Sequence, residues 1–195
     1  KQVHARISIA KNNLIGPLEY LANGELMAGD AAVGREKLGE IYKAYAEKCF
    51  RSGAMDFDDL LYNTALLFRD HPEAMVKYQS RFQYILVDEY QDTNAVQYSI
   101  VKTLAARHEN ITVVGDDSQS IYGFRGANIQ NILNFRRDYP DYKLFKLEQN
   151  YRSTKMLVAA ANSLIDKNKE RIDKTIWTEN AEGEPIRVQR TMSDN

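Results

Sequence analysis

Cysteine is almost absent from this chain of 195 residues, where Cys49 stands alone. A single thiol excludes an internal disulfide and any cysteine-built zinc set, and it makes a reducing cytoplasm the simplest expected compartment. Cys49 falls on the apolar side of a helical pattern and is expected to be inert. No apolar run reaches the roughly 18 residues that suggest a membrane span, so no membrane partner is expected. The three histidines, His4, His71 and His108, have no ligand spacing, which leaves them surface or packing roles. Charge of one sign is lacking too. The 26 Lys and Arg balance 27 Asp and Glu, so the whole chain carries no field that would draw in a polyanion. No Gly-Lys pair occurs anywhere, which excludes a Gly-x-x-x-x-Gly-Lys-Ser/Thr phosphate loop within these residues. The chain opens at Lys1 without a signal pattern and closes on Ser193-Asp194-Asn195 without a folding signal, and both ends read as cuts in a longer protein.

What is present has the makeup of a soluble globular protein, with 44% hydrophobic and 27% charged residues. Its length suits one ordinary domain or two partial ones. Residues 1–35 carry scattered glycines and small apolar clusters, which predict short helices and loops. From Glu36, the positions Leu38, Ile41, Tyr42, Tyr45, Ala46 and Cys49 repeat at helical spacing until Gly53. Asp56 is placed to cap a second helix, with Asp58 and Asp59 in its favourable first turn, and His71-Pro72 ends it. A helix is expected again over 73–81.

The texture then changes. Residues 84–87 and 111–114 are short apolar runs that end in carboxylates, as buried parallel strands do. Helices are expected over 95–107 and 128–138, with a third strand over 142–147. A helix capped by Ser153 should run to about residue 168, and 186–189 is a candidate fourth strand. Strands alternating with helices predict an α/β layer. Residues 118–177 hold eleven Lys and Arg against six Asp and Glu, which fits either a basic surface or an ordinary solvated face.

Three segments carry candidate chemistry. The string Leu86-Val87-Asp88-Glu89-Tyr90-Gln91-Asp92-Thr93-Asn94 delivers two adjacent carboxylates from a strand. That is either a Walker B arrangement, with Asp88 toward Mg²⁺ and Glu89 as general base, or a turn rich in Asp. The string from Val114 to Ala127 is a polar loop with Gln119, Tyr122, Phe124 and Arg125 between glycines. Its aromatics belong either to the core or to a platform on which bases stack, an interaction that tolerates any base. In the third segment, Glu148-Gln149-Asn150-Tyr151-Arg152-Ser153-Thr154, a strand leads through Tyr-Arg to a helix start. Arg152 is either an exposed guanidinium or one poised on a phosphoryl group. The carboxylates of Met55-Asp56-Phe57-Asp58-Asp59 resemble a metal cluster at first sight, but all three fall in a cap and first turn, which favours the helix start.

Together these strings resemble motifs II, III and IV of superfamily 1 DNA helicases of the UvrD/Rep/PcrA type, in family order and with family-like separations over residues 84–155. The Met55–Leu61 segment is similar to a further family stretch. The resemblance implies a partial RecA-like P-loop NTPase fold with a helical insertion and without its P-loop strand. Residues 1–80 would be mostly insertion and return, 81–155 the second half of the first RecA-like domain, and 156–195 the start of the second. It implies ATP and Mg²⁺ as cofactors. Asp88 would hold the metal, Glu89 would activate water, and Gln119 and Arg152 would reach the γ-phosphate. Tyr151 would stack on adenine, while Tyr122, Phe124 and Arg125 would face single-stranded DNA. Many relatives have Trp where this chain has Phe124, which keeps a stacking face but loses area.

The implied activity is ATP-driven movement on single-stranded DNA, in the 3′-to-5′ direction, with duplex unwinding at junctions in repair or replication. Because the phosphate loop and the second-domain Arg finger lie elsewhere in such proteins, the chain alone is expected to be inactive. Its incomplete sheet is expected to expose edges that favour self-association. Two other readings stay open: a subunit of RecB/AddA-like helicase–nucleases, and a silent DNA-binding scaffold. Intact Asp88, Glu89, Gln119 and Arg152 argue against the scaffold.

Overall fold

A computed structural model describes residues 2–189, with the side chain of Arg125 excepted. The chain divides into two compact units that part between Ile132 and Leu133.

The first unit is dominated by helices. The opening stretch folds into α1 (Gln2–Asn12), α2 (Pro17–Ala22) and α3 (Gly24–Ala31). Pro17 starts α2, where its missing N–H costs nothing, and Asn23 caps α3 by accepting from Glu25 and Leu26 N–H. The expected long helix is α4 (Leu38–Arg51). Its inward face joins Leu38 and Tyr42 to Ile7, Ala10 and Tyr20 in a buried cluster. Tyr20 and Tyr42 meet edge to face at 5.8 Å, a favoured aromatic geometry. Burial raises the Tyr42 phenol above its ordinary pKa.

Asp56 caps α5 (Phe57–Asp70) as expected, accepting from Asp59 N–H at 2.7 Å while the Asp59 carboxylate accepts from Asp56 N–H at 3.1 Å. The sequence does not reveal the partner these carboxylates share. Lys11, buried at the end of α1, places Nζ 2.7 Å from both Asp56 and Asp59. The expected break at His71-Pro72 leads directly into α6 (Pro72–Arg81). Gln79 of that helix is buried and donates to the Thr103 carbonyl of α7 (Ala95–Ala105) at 2.7 Å.

Two strands, β1 (Ile85–Val87) and β2 (Ile111–Val113), pair in parallel with Ile85 opposite Ile111 and Val87 opposite Val113. Helix α7 connects them and packs on β1. Both strands were expected to be buried, but only one face is covered. Leu86 is 78% exposed, because side chains alternate along a strand and α7 covers one side of this pair.

After β2 the expected helix over 128–138 is broken into α8 (Gln130–Leu133) and α9 (Phe135–Asp138). Asn134 leaves helical geometry between them, with φ −91° and ψ 1°. In the second unit, Phe135 forms a tilted pair with Tyr139, ring centroids 4.8 Å apart, and meets Tyr142 edge-on. The third strand expected over 142–147 does not form. A strand needs a neighbour for its N–H and C=O groups, and among the described residues none runs beside this stretch; Phe145 and Leu147 are exposed. The pairing falls just after it, as an isolated parallel bridge between Gln149 and Trp177. Residues 186–189 likewise form no strand, and no ladder partner runs beside them among the described residues. Helix α10 (Lys155–Ile165) is capped one residue later than expected, at Thr154, because Asn150 Oδ1 captures the Arg152 and Ser153 N–H groups in a turn. The whole is a helix-rich α/β chain with a small parallel sheet.

Candidate functional site

The end of β1 splits into two parts of opposite character. Asp88 and Glu89 are exposed. Asp88 Oδ1 accepts from Glu89 N–H at 2.9 Å. Glu89 sits in the left-handed region at φ 49°, ψ 41°, a strained setting for a residue with a Cβ and one that concentrates at functional sites. The next five residues turn inward, and Tyr90, Gln91, Thr93 and Asn94 are buried. Thr93 Oγ1 donates to the Tyr90 carbonyl at 2.7 Å. The buried Asn131 amide donates to both Thr93 O and Thr93 Oγ1 at 2.9 and 3.0 Å. Asn94 caps α7 by accepting from Gln97 N–H at 2.8 Å. The carboxylate pair therefore rests on a buried, hydrogen-bonded base.

The loop after β2 lies beside it. The ladder continues past β2, with Val114 N–H donating to the Val87 carbonyl and Tyr90 N–H to the Val114 carbonyl. Asp116 then organises the turn, accepting from Ser118 N–H at 2.9 Å and from the Gln119 amide at 2.8 Å. Gln119 is exposed and tethered to Asp116. Beyond it Tyr122 and Phe124 form a tilted pair with ring centroids 6.1 Å apart, and Phe124 is 76% exposed. That exposure removes the core reading for Phe124. Arg125 lies in a short 3₁₀ turn over Gly123–Arg125, and its side chain lies outside the described residues.

Tyr151 and Arg152 belong to the second unit. Both are exposed; Tyr151 Oη donates to Gln149 Oε1 at 2.9 Å, and Arg152 follows the Asn150 turn just before α10. Asp88, Glu89, Gln119, Tyr122 and Phe124 are thus gathered on two adjoining loops of one unit, and Tyr151 and Arg152 on the other.

Among the described residues no three His, Cys, Asp or Glu side chains cluster as a metal site, and no helix is long and apolar enough to cross a membrane. The Asp56–Asp59 carboxylates hold Lys11 instead. Trp177 is 45% exposed and contributes its backbone to the bridge with Gln149.

Residues 1–140 match the UvrD/REP helicase N-terminal domain, and residues 145–195 match the UvrD-like helicase C-terminal domain. The chain belongs to the UvrD/REP helicase family. It is 48% identical over 189 residues to the ATP-dependent DNA helicase PcrA of Leuconostoc citreum, covering 97% of this chain and 24% of that protein. It is 47% identical over 185 residues to the PcrA of Staphylococcus aureus strain Mu50, covering 95% and 25%. For the PcrA of Staphylococcus epidermidis the identity is 51% over 159 residues, covering 82% and 22%. The chain spans about a quarter of the length of these relatives. In this UvrD/REP chain the sequence does not single out the supporting residues Gln91, Thr93 and Asn131, which lie buried beside the carboxylate pair. Gln91 and Thr93 stand inside the quoted motif, but a buried role has no periodic signal in so short a segment.

Proposed function

We propose that this chain is the central part of an ATP-dependent DNA helicase, a motor that couples ATP hydrolysis to movement along single-stranded DNA and to duplex unwinding. The observation that carries the reading is the Asp88-Glu89 pair, exposed at the end of a parallel strand beside the Gln119 loop. A hard cation such as Mg²⁺ takes oxygen ligands and commonly needs only one or two carboxylates plus substrate phosphates, and exposed Asp88 fits that donor set. When bound, the ion neutralises charge on the β- and γ-phosphates. Asp88 is assigned to hold it, and Glu89 to accept the proton of the attacking water.

Gln119 is assigned to the γ-phosphate. Arg152 is assigned to phosphoryl oxygens, for which its planar guanidinium is suited, and Tyr151 to adenine by its ring face. The Tyr122–Phe124 pair suits base stacking, since exposed rings on a short loop cost apolar surface that a purely structural loop would bury. Arg125, next to Phe124 in the same loop, is assigned to the same DNA strand. The phosphate loop, absent from these residues, has to come from elsewhere in the protein, so the isolated chain is not expected to turn over ATP. The test is ATP hydrolysis by the full-length protein with and without single-stranded DNA. DNA-stimulated turnover supports the motor; a folded protein without turnover supports a silent DNA-binding scaffold.

A further inference from the structure

Gln91 is the least exposed polar residue near the carboxylate pair, at 1%. Its amide reaches both loops. Nε2 donates to Glu89 Oε2 at 2.8 Å, and Oε1 accepts from Asp116 N–H at 3.0 Å. The orientation of the amide is fixed by its neighbours, because a carboxylate only accepts and a backbone N–H only donates. The Gln91 carbonyl also accepts from Ser120 Oγ at 3.3 Å. Gly115 leaves room for this arrangement, since a Cβ there would lie 2.5 Å from Gln91 Oε1. The loop that begins at Gly115 is thus pressed against the amide with no side chain between.

From these contacts we infer that Gln91 is a positioning residue. It holds the Glu89 carboxylate in place and ties that place to the backbone of the loop that presents Gln119, Tyr122 and Phe124. The inference rests on Glu89 being the general base. Glu89 is exposed and its backbone is strained, so its carboxylate needs an external restraint to stay in one rotamer, and Gln91 supplies a buried one. A shift of the Asp116 backbone moves the amide, and the amide moves the carboxylate.

The experiment is a double-mutant cycle on ATP turnover by the full-length protein in saturating single-stranded DNA. It compares the unmodified protein, Glu89→Gln, Gln91→Met and the double variant. Met fills the volume of Gln and removes the hydrogen bonds to Glu89 and Asp116, together with a long one to Asp92 at 3.5 Å. Gln91→Leu is the second variant; it removes the donor to Glu89 and the acceptor for Asp116 N–H without adding a second carboxyl beside Glu89. Either Gln91 variant is expected to lower kcat about tenfold or more, with KM for ATP changed by less than about twofold, and to cause no further loss in the Glu89→Gln background. An equal loss in both backgrounds, or a KM that rises in step with the fall in kcat, overturns the positioning role. So does failure of both Gln91 variants to fold where Glu89→Gln folds. Full turnover by Glu89→Gln is a separate outcome that removes the general-base assignment and this inference with it.

Discussion

The Asn94 amide donates to Asn12 Oδ1 at 2.9 Å across 82 positions of sequence. Asn12 in turn donates to Asp58 Oδ1 at 3.0 Å. The last residue of the carboxylate motif is therefore linked through the end of α1 to the first turn of α5. Because Asn94 also caps α7, Asn94→Ala should lose both a cap and a tertiary link. The expected destabilisation is about 1–2 kcal/mol, read as a lower urea midpoint with unchanged slope. An unchanged midpoint would show that solvent replaces both bonds.

Lys11 is a fully buried cation whose charge is matched by Asp56 and Asp59. Lys11→Met should leave two carboxylates without their cation and cost about 3–5 kcal/mol. The same pair gives the protein an acid-sensitive joint. Burial works to raise the Asp56 carboxyl, but hydrogen bonds from Lys11 and Tyr45 outweigh it and hold its pKa at about 2. An Asp in an unfolded chain titrates near 3.9 or so. The stabilisation is therefore complete above about pH 4 and is lost as pH falls toward about 2. Melting temperature against pH should fall through that window, and more shallowly in Lys11→Met. Parallel curves would remove the ion pair from the account.

Phe124 is 76% exposed. Phe124→Ala should weaken binding of single-stranded DNA by about 1–3 kcal/mol, the range for loss of one stacked base, and Phe124→Trp should retain or strengthen it. Fluorescence anisotropy with a labelled oligonucleotide reads both. Equal affinity of the Ala variant would detach this loop from DNA.

The helical half of the chain was legible because it is locally encoded. Asp56 is both a cap and the start of an amphipathic run, and the break at His71-Pro72 is steric. That strands form near 84–87 and 111–114 followed from two apolar runs on either side of a helix. Residues 142–147 have the composition of a strand, but strand formation depends on a neighbour, and composition does not report whether one is present. Asn134 interrupts a helix whose apolar spacing continues through it. Within the site, Asp88 and Glu89 stood out by charge. Gln91 did not, because its importance comes from being 1% exposed between two loops that meet only in three dimensions.

The most direct test of the account is steady-state ATP hydrolysis by the full-length protein and its Glu89→Gln variant, each with and without single-stranded DNA. Substituting the amide removes the proton acceptor at nearly constant size. The account predicts DNA-stimulated turnover that falls about 10²-fold or more in the variant. Turnover by the variant within a few-fold of the unmodified protein would contradict it.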